Sequence, residues 1–282
     1  MRKGEDGAKA AGAAGTLLTR EQLVEFYRLM YLSRRTDDRE IVLKRQQKIF
    51  FQVSCAGHEA LLVAAGMAMR PGYDWFFPYY RDRAICLALG NTVDDQLLQA
   101  VGAADDPASG GRQMPSHWSN TKLHIVSGSS ATATQCLHAI GGAEAGRYFS
   151  RHTGAAAKHD DGDHPDYRAF KDVTFHGDEV TYVGIGEGST SQGEFWEALN
   201  TASNGKLPVV IVVEDNGYAI STPVEANTPG GSISKLVANF PNFHFAEIDG
   251  TDPLACYAAM AEAVAYCRAG RGPALVHGHV VR

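Results

Sequence analysis

Two apolar runs, residues 180–185 (VTYVGI) and 209–213 (VVIVV), bracket a helix-like segment at 192–204, and each run leads into an oxygen-bearing residue. Runs this short and this continuously apolar suit strands buried on both faces. Strand, helix and strand make a β-α-β unit, whose right-handed crossover can lay the two strand ends side by side. Open α/β sheets bind their ligands at that carboxyl edge. Gly186, Glu187 and Gly188 follow the first run; Asn216 follows the second, after a spacer of just under thirty residues. A carboxylate, an amide oxygen and a backbone carbonyl there suit magnesium, which takes a few protein oxygens and completes its octahedron with phosphate and water. The glycines beside Glu187 let backbone approach a diphosphate, and the next helix N-terminus offers it N–H donors. Other nucleotide motifs fit worse. A dinucleotide fingerprint starting at Gly184 needs its third glycine where Ser189 stands, and no P-loop pattern occurs. A glycine-rich turn with a solvated Glu187 is the bland alternative.

Glycine, acid, glycine, that spacer and then asparagine resemble the thiamine diphosphate motif. The stretch as a whole looks like the α subunit of the decarboxylating first component of 2-oxo acid dehydrogenases, and GEG with NGYAISTP resembles its branched-chain type. The resemblance implies that Glu187 and Asn216 bind magnesium by side chain and Tyr218 by its backbone carbonyl. It also implies that Gly188 and Ser189 contact the diphosphate. In FFPYYRDRA (76–84), Tyr80 and Arg81 match a family pair that reaches the diphosphate; guanidinium grips phosphate oxygens in a two-pronged way. An aromatic strand ending in a surface ion pair would read the same. In SGGRQMPSHWSN (109–120), which resembles the family's GRQMPxH loop, His117 matches a histidine near the reacting end of the cofactor. Imidazole there suits proton transfer, and a loop histidine bonded to a backbone carbonyl remains an equal reading. SGSSATATQ (127–135) resembles a loop that holds structural potassium. By the match Ser129, Thr134 and Gln135 are potassium ligands, with Ala131 contributing a carbonyl, while Ser130 and Thr132 touch the cofactor. A polar helix cap reads the same residues and is compatible with that role. His58, in SCAGHEA, reads as packing and hydrogen bonding.

The rest of the chain is organised around this unit. A helix is expected over 18–48 with Thr19 as N-cap, then the GHEA helix, the Tyr-Arg loop, a helix near 93–101, the GRQMP loop and a helix near 133–148. Beyond the magnesium unit come a helix near 233–239, a strand at 243–248, a helix at 253–268 and a strand at 274–281. Strands alternating with helices predict an α/β fold, a mostly parallel sheet with helices on both faces. Residues 1–16, rich in Ala, Gly and Lys, read as a disordered tail without the apolar core of a secretory signal. Residues 17–282 read as one domain, interrupted at about 151–179 by a solvated insertion rich in Asp, His and Gly. A net charge of −6 argues against nucleic acid and anionic membrane as partners. No apolar run approaches the ~20 residues of a membrane span. Five scattered cysteines fit reduced thiols and a cytoplasmic location.

Two family parts are not found in these residues. The loop carrying a histidine for acyl transfer follows the last strand in the family. Here Arg282 aligns with the arginine just before it, and His277 and His279 belong to that strand's alternation. The glutamate that activates the aminopyrimidine end of the cofactor lies in the family's β half. The expectation is therefore a front part of a fused α/β chain, or a truncated product, inactive alone. The implied function is oxidative decarboxylation of a 2-oxo acid, branched-chain favoured, with acyl transfer to lipoamide. The implied partners are a β subunit or β half and the lipoyl domain of the acyltransferase component, in an oligomer. The alternatives are an acetoin or pyruvate dehydrogenase α subunit, and an inactive cofactor-binding or assembly fragment.

Overall fold

A computed structural model describes residues 17–156 and 174–282. Helix α1 (Arg20–Arg45) starts at a reciprocal cap, Thr19 accepting from the Gln22 N–H and Gln22 accepting from the Thr19 N–H. It is followed by α2 (Glu59–Ala68), strand β1 (Trp75–Phe77), α3 (Arg83–Leu89), α4 (Val93–Ala100) and α5 (Thr134–Ala156). The expected central unit appears as β2 (Thr181–Gly186), α6 (Gly193–Gly205) and β3 (Val209–Asp215). A small antiparallel hairpin, β4 (Tyr218–Ala219) with β5 (Thr222–Pro223), leads to the short helices α7 (Val224–Asn227) and α8 (Ile233–Val237). Then come β6 (His244–Asp249), α9 (Pro253–Arg268) and β7 (Ala274–His279).

The main sheet runs β1-β2-β3-β7-β6, every neighbouring pair parallel. Alternate side chains feed two cores. Tyr182, Val210, Val212 and Val276 pack with α1, α2, α3 and α9 on one face. Val183, Ile185, Ile211, Val213 and Leu275 pack with α5, α6 and α8 on the other. All seven residues of β3 are buried, which explains the unbroken apolar run. Where basic groups enter the interior they are paired with carboxylates. Arg83, fully buried, donates to Glu40 at 2.5 Å and to Gln96 at 3.0 Å, and Arg268 donates to Asp74 at 2.8 Å.

The α/β expectation holds, with corrections to its boundaries. The segment read as a Tyr-Arg loop keeps Tyr80 and Arg81 in a turn, but its ends are regular: β1 and α3 flank that turn, and β1 escapes notice because it is an edge strand of three residues whose aromatics lack a period. Helix α5 continues through Ala156, into the stretch read as insertion. The end of that stretch is held to the body: Tyr73 donates its hydroxyl to Asp178, and Arg268 donates to the Asp178 carbonyl at 2.8 Å. The rest of the insertion, 157–173, and the tail at 1–16 lie outside the described residues. All five cysteines are buried and unpaired. Among the described residues no helix is long and apolar enough to cross a membrane.

Candidate functional site

The register sets Gly186 beside Glu214, so Glu187 and Asp215 leave β2 and β3 at the same level. Glycine is required here by contact. A Cβ on Gly186 would stand 2.7 Å from the Tyr79 hydroxyl, and one on Gly188 2.3 Å from the Ala219 Cβ. Glu187 opens a 3-10 turn (Glu187–Ser191) and is 2% exposed. The Thr228 hydroxyl donates to its Oε1, and its buried Oε2 has no hydrogen-bond partner among the described residues. Burial raises the Glu187 carboxyl above its usual range, the Thr228 bond opposes that, and neighbouring Asp215 adds to it. A buried carboxylate oxygen without a donor costs free energy that a cation would relieve. The oxygen therefore fits the role of a magnesium ligand.

Asn216 faces the other way. Its Nδ2 donates to His58 Nε2 at 3.5 Å and its Oδ1 accepts the Tyr218 N–H at 3.2 Å. No hydrogen bond joins Asn216 to Glu187 among the described residues; the fold brings them to adjacent strand ends and leaves them uncoupled. Tyr218 starts the β4–β5 hairpin with an exposed ring. His58 Nδ1–H donates to Glu214 at 2.5 Å, both side chains buried. Burial, helped by the positive charge of Arg81, depresses His58 to about 4, and burial lifts Glu214 to about 7. A hydrogen-bonding role for His58 is what its sequence context led us to expect.

Arg81 donates to the Ser54 carbonyl and lies over the Tyr80 ring, 5.3 Å from its centroid. Its Nε is buried without a partner, and with His58 and Arg282 it borders a cavity of about 310 Å³. An unspent guanidinium donor at a cationic cavity suits phosphate oxygens. Around the corner, Tyr80, His117, Ser129, Ser130, Ala131, Thr132, Gln135 and Ser189 line one small cavity of about 40 Å³. Residues from four separate sequence segments thus meet as a single wall. His117 Nδ1–H donates to the Met114 carbonyl at 3.0 Å, which leaves Nε2 to accept from the Ser130 hydroxyl at 2.7 Å. The backbone-bonded reading of that histidine is the one observed, and its other nitrogen faces Ser130 in the pocket wall. The 129–135 loop is less gathered. Ser129 Oγ accepts the Ala131 N–H at 3.3 Å, the Ala131 carbonyl accepts the Thr134 N–H at 3.3 Å, and Gln135 donates to the Gly184 carbonyl at 3.1 Å.

The family model for the dehydrogenase E1 component matches residues 27–282. The chain belongs to the dehydrogenase E1 component family. It is 39% identical to the 2-oxoisovalerate dehydrogenase subunit alpha of Bacillus subtilis, over 92% of this chain and 70% of that one. It is 33% identical to the 3-methyl-2-oxobutanoate dehydrogenase subunit alpha of Mycobacterium tuberculosis, over 94% of this chain and 62% of that one. The pyruvate dehydrogenase E1 component subunit alpha of B. subtilis is also 33% identical, with 96% and 63% covered. The chain therefore spans about 60–70% of the length of these curated relatives. Among solved structures, transketolases from Leishmania mexicana (TM-score 0.57, 18% identity, 89% of this chain and 36% of that one) and Campylobacter jejuni (TM-score 0.59, 14% identity, 93% and 38%) share the fold. At those identities the likeness concerns architecture alone.

Three features of this E1 chain escape its motifs. Thr228, which donates to Oε1 of Glu187, stands in an unremarked turn whose only signal is a hydroxyl just after TPVEAN. Asp82 and Tyr182 lie under the site: Asp82 accepts the Tyr79 N–H at 2.8 Å and the Tyr182 hydroxyl at 3.0 Å. Strand alternation alone could have placed Tyr182 toward α3. Finally, a cavity of about 530 Å³ opens at the opposite, amino ends of β1, β2 and β3, beside Trp75, Thr181 and Pro208. It is larger than the site cavities and gathers none of the motif residues.

Proposed function

We propose that this chain is the α half of a thiamine-diphosphate-dependent 2-oxo acid dehydrogenase, holding the diphosphate and metal end of the cofactor. The observation that carries the reading is the orphaned, buried Glu187 Oε2 at the end of β2, one strand away from Asn216. In this reading Glu187, Asn216 and the Tyr218 carbonyl hold magnesium. Arg81 and Tyr80 take the diphosphate from one side, and the N–H groups of Gly188 and Ser189 from the other. Ser130 and Thr132 brace the cofactor, and Ser129, Ala131, Thr134 and Gln135 are the ligand set for a structural potassium ion. When bound, thiamine diphosphate supplies the electron sink that lets carbon dioxide leave a 2-oxo acid. His117, its Nε2 lone pair directed to the pocket by the Met114 carbonyl behind it, accepts or returns a proton near the reacting carbon. The likeness to two branched-chain subunits supports a branched-chain 2-oxo acid as substrate. The pyruvate dehydrogenase relative keeps pyruvate as the second reading.

The remaining functions fall to partners: a β subunit or β half that closes the aminopyrimidine end, and a lipoyl domain that accepts the acyl group. A cytoplasmic location fits buried, unpaired cysteines. The test is titration of thiamine diphosphate into the chain reconstituted with a β half, in magnesium and in chelator. Asn216→Ala and Glu187→Gln should each weaken binding in magnesium by about tenfold or more, and chelator should remove the difference. Wild-type affinity in both variants would overturn the ligand assignment. Release of carbon dioxide from branched-chain 2-oxo acids by the chain alone would overturn its reading as a half-site.

A further inference from the structure

The carboxyl edge of the sheet carries a second polar group, on the face away from His58 and Asn216. The strands are in register there: Asp215 of β3 lies beside His279 of β7, and His277 lies beside Glu247 of β6. His277 and His279 are two residues apart on one strand, so both imidazoles stand on the same face. Asp215 Oδ2 is 3.1 Å from His277 Nε2 and 3.4 Å from His279 Nδ1. One ligand atom from each of the three residues can be chosen with all three inside 4.8 Å of one another. The outer nitrogens are occupied as well: Ser234 Oγ lies 2.8 Å from His277 Nδ1 and Glu247 Oε1 lies 2.9 Å from His279 Nε2.

We propose that Asp215, His277 and His279 bind a divalent transition-metal ion of the zinc class, with Ser234 and Glu247 orienting the two imidazoles. The spacing fits. Zinc–nitrogen and zinc–oxygen bonds of about 2.0–2.1 Å in a tetrahedron hold ligand atoms about 3.3 Å apart, and the two measured edges are 3.1 and 3.4 Å. The chemistry fits too. Two imidazoles and one carboxylate are a borderline set that suits zinc, cobalt or nickel better than magnesium, which prefers oxygen. Histidine ligands usually hand their second N–H to a neighbouring oxygen, which fixes the tautomer, and each imidazole here has an oxygen at its outer nitrogen to receive one. Binding places the His277 proton on Nδ1, where Ser234 Oγ accepts it, and frees Nε2 for the metal. Access is one-sided: His277 is sealed, whereas the His279 side chain is 49% exposed and leaves room for entry and for a water as fourth ligand.

This group adjoins the one assigned to magnesium, since Asp215 precedes Asn216 and its charge acts on Glu187, but the two share no ligand. Glu187 spends an oxygen on Thr228, and Asn216 turns to the opposite face. The experiment is a cobalt(II) titration of the untagged, metal-stripped chain in millimolar magnesium, followed by visible absorption. The expected result is one equivalent of cobalt with d–d bands of a low-coordinate site, displaced by zinc, and a melting temperature that rises with zinc. His279→Ala changes a half-exposed side chain, so its metal-free form should melt as wild type does. Its cobalt affinity should fall on the order of tenfold or more. Glu187→Gln should keep the cobalt spectrum. No saturable one-to-one spectrum, or equal affinity in His279→Ala, would reduce the group to a hydrogen-bonded cluster. Loss of the spectrum in Glu187→Gln would mean that the ion sits in the magnesium motif. Either result overturns the proposal.

Discussion

Arg83 and Gly188 show what single residues do, one by its charge in the core and one by the absence of a side chain at the site. Arg83 is enclosed between α1 and α4, with Glu40 and Gln96 on its guanidinium and the Trp118 ring 5.7 Å from its centre. Burial lifts the Glu40 carboxyl and the Arg83 charge opposes that lift. Removing one member of such a pair leaves the other charge in a dry interior, a loss of about 3–5 kcal/mol. Arg83→Met should therefore lower stability by that order in urea unfolding, and Arg83→Met with Glu40→Leu should recover much of it. Gly188 is tested by Gly188→Ala. The added methyl meets Ala219, so the β4–β5 hairpin must shift away from the cofactor edge. Thiamine diphosphate affinity in the reconstituted enzyme should fall while the melting temperature changes little, because the hairpin lies outside the core. At this scale the sequence was readable where a short motif names its own chemistry. Glu187, His117 and Tyr80 came from patterns. Thr228 and the inward turn of Asn216 depend on where a distant loop closes, and no local pattern encodes that.

Helices and strands were more legible than the residues between them. The 253–268 helix agrees end to end, because Asp252 caps it through the Leu254 and Ala255 N–H groups and Pro253 sits at its first position. Helix α1 was equally plain from Thr19 and Gln22. Replacing Thr19 with Ala removes one side of the reciprocal cap and should cost about 1 kcal/mol, read as a shift of the urea midpoint without a change of slope. β1 and α3 were missed for opposite reasons. β1 is too short for a period, and its partner β2 lies about a hundred residues on in the chain. α3 is apolar nearly all round, since six of its seven residues are buried. The 151–179 stretch was misjudged at its start because Gly, Ala and His give α5 no amphipathic signal there; its end is fixed by a hydrogen bond from Arg268 to the Asp178 carbonyl, a contact across 90 residues.

On the scale of the whole molecule, the cofactor edge shares the surface with large exposed apolar groups. Phe50 is 92% exposed, Ile220 87% and Tyr27 69%, with Val24 and Tyr31 on the same outer side of α1 as Tyr27. A half-site that another subunit closes should carry such groups, and obligate interfaces of this kind bury on the order of 2,000 Å² or more. Sedimentation at micromolar concentration should show self-association of the chain, replaced by a defined complex when a β half is added. Phe50→Glu should weaken both. A compact monomer indifferent to the β half would contradict the reading.

The sheet order has a bearing on how the molecule is made. β7 is the last strand to be synthesised among those described, yet it lies inside the sheet, hydrogen-bonded to β3 on one side and β6 on the other. At a ribosomal pace of about 5–20 residues per second, β3 is complete seconds before its second neighbour exists. During that interval an apolar strand buried on both faces in the finished protein offers a row of unpaired N–H and C=O groups. The nascent chain must keep that slot open rather than let β6 close against β3. A chaperone that shields the unfinished edge, or a slow passage of ribosomes downstream of residue 279, would act on yield at this step while leaving the finished protein unchanged.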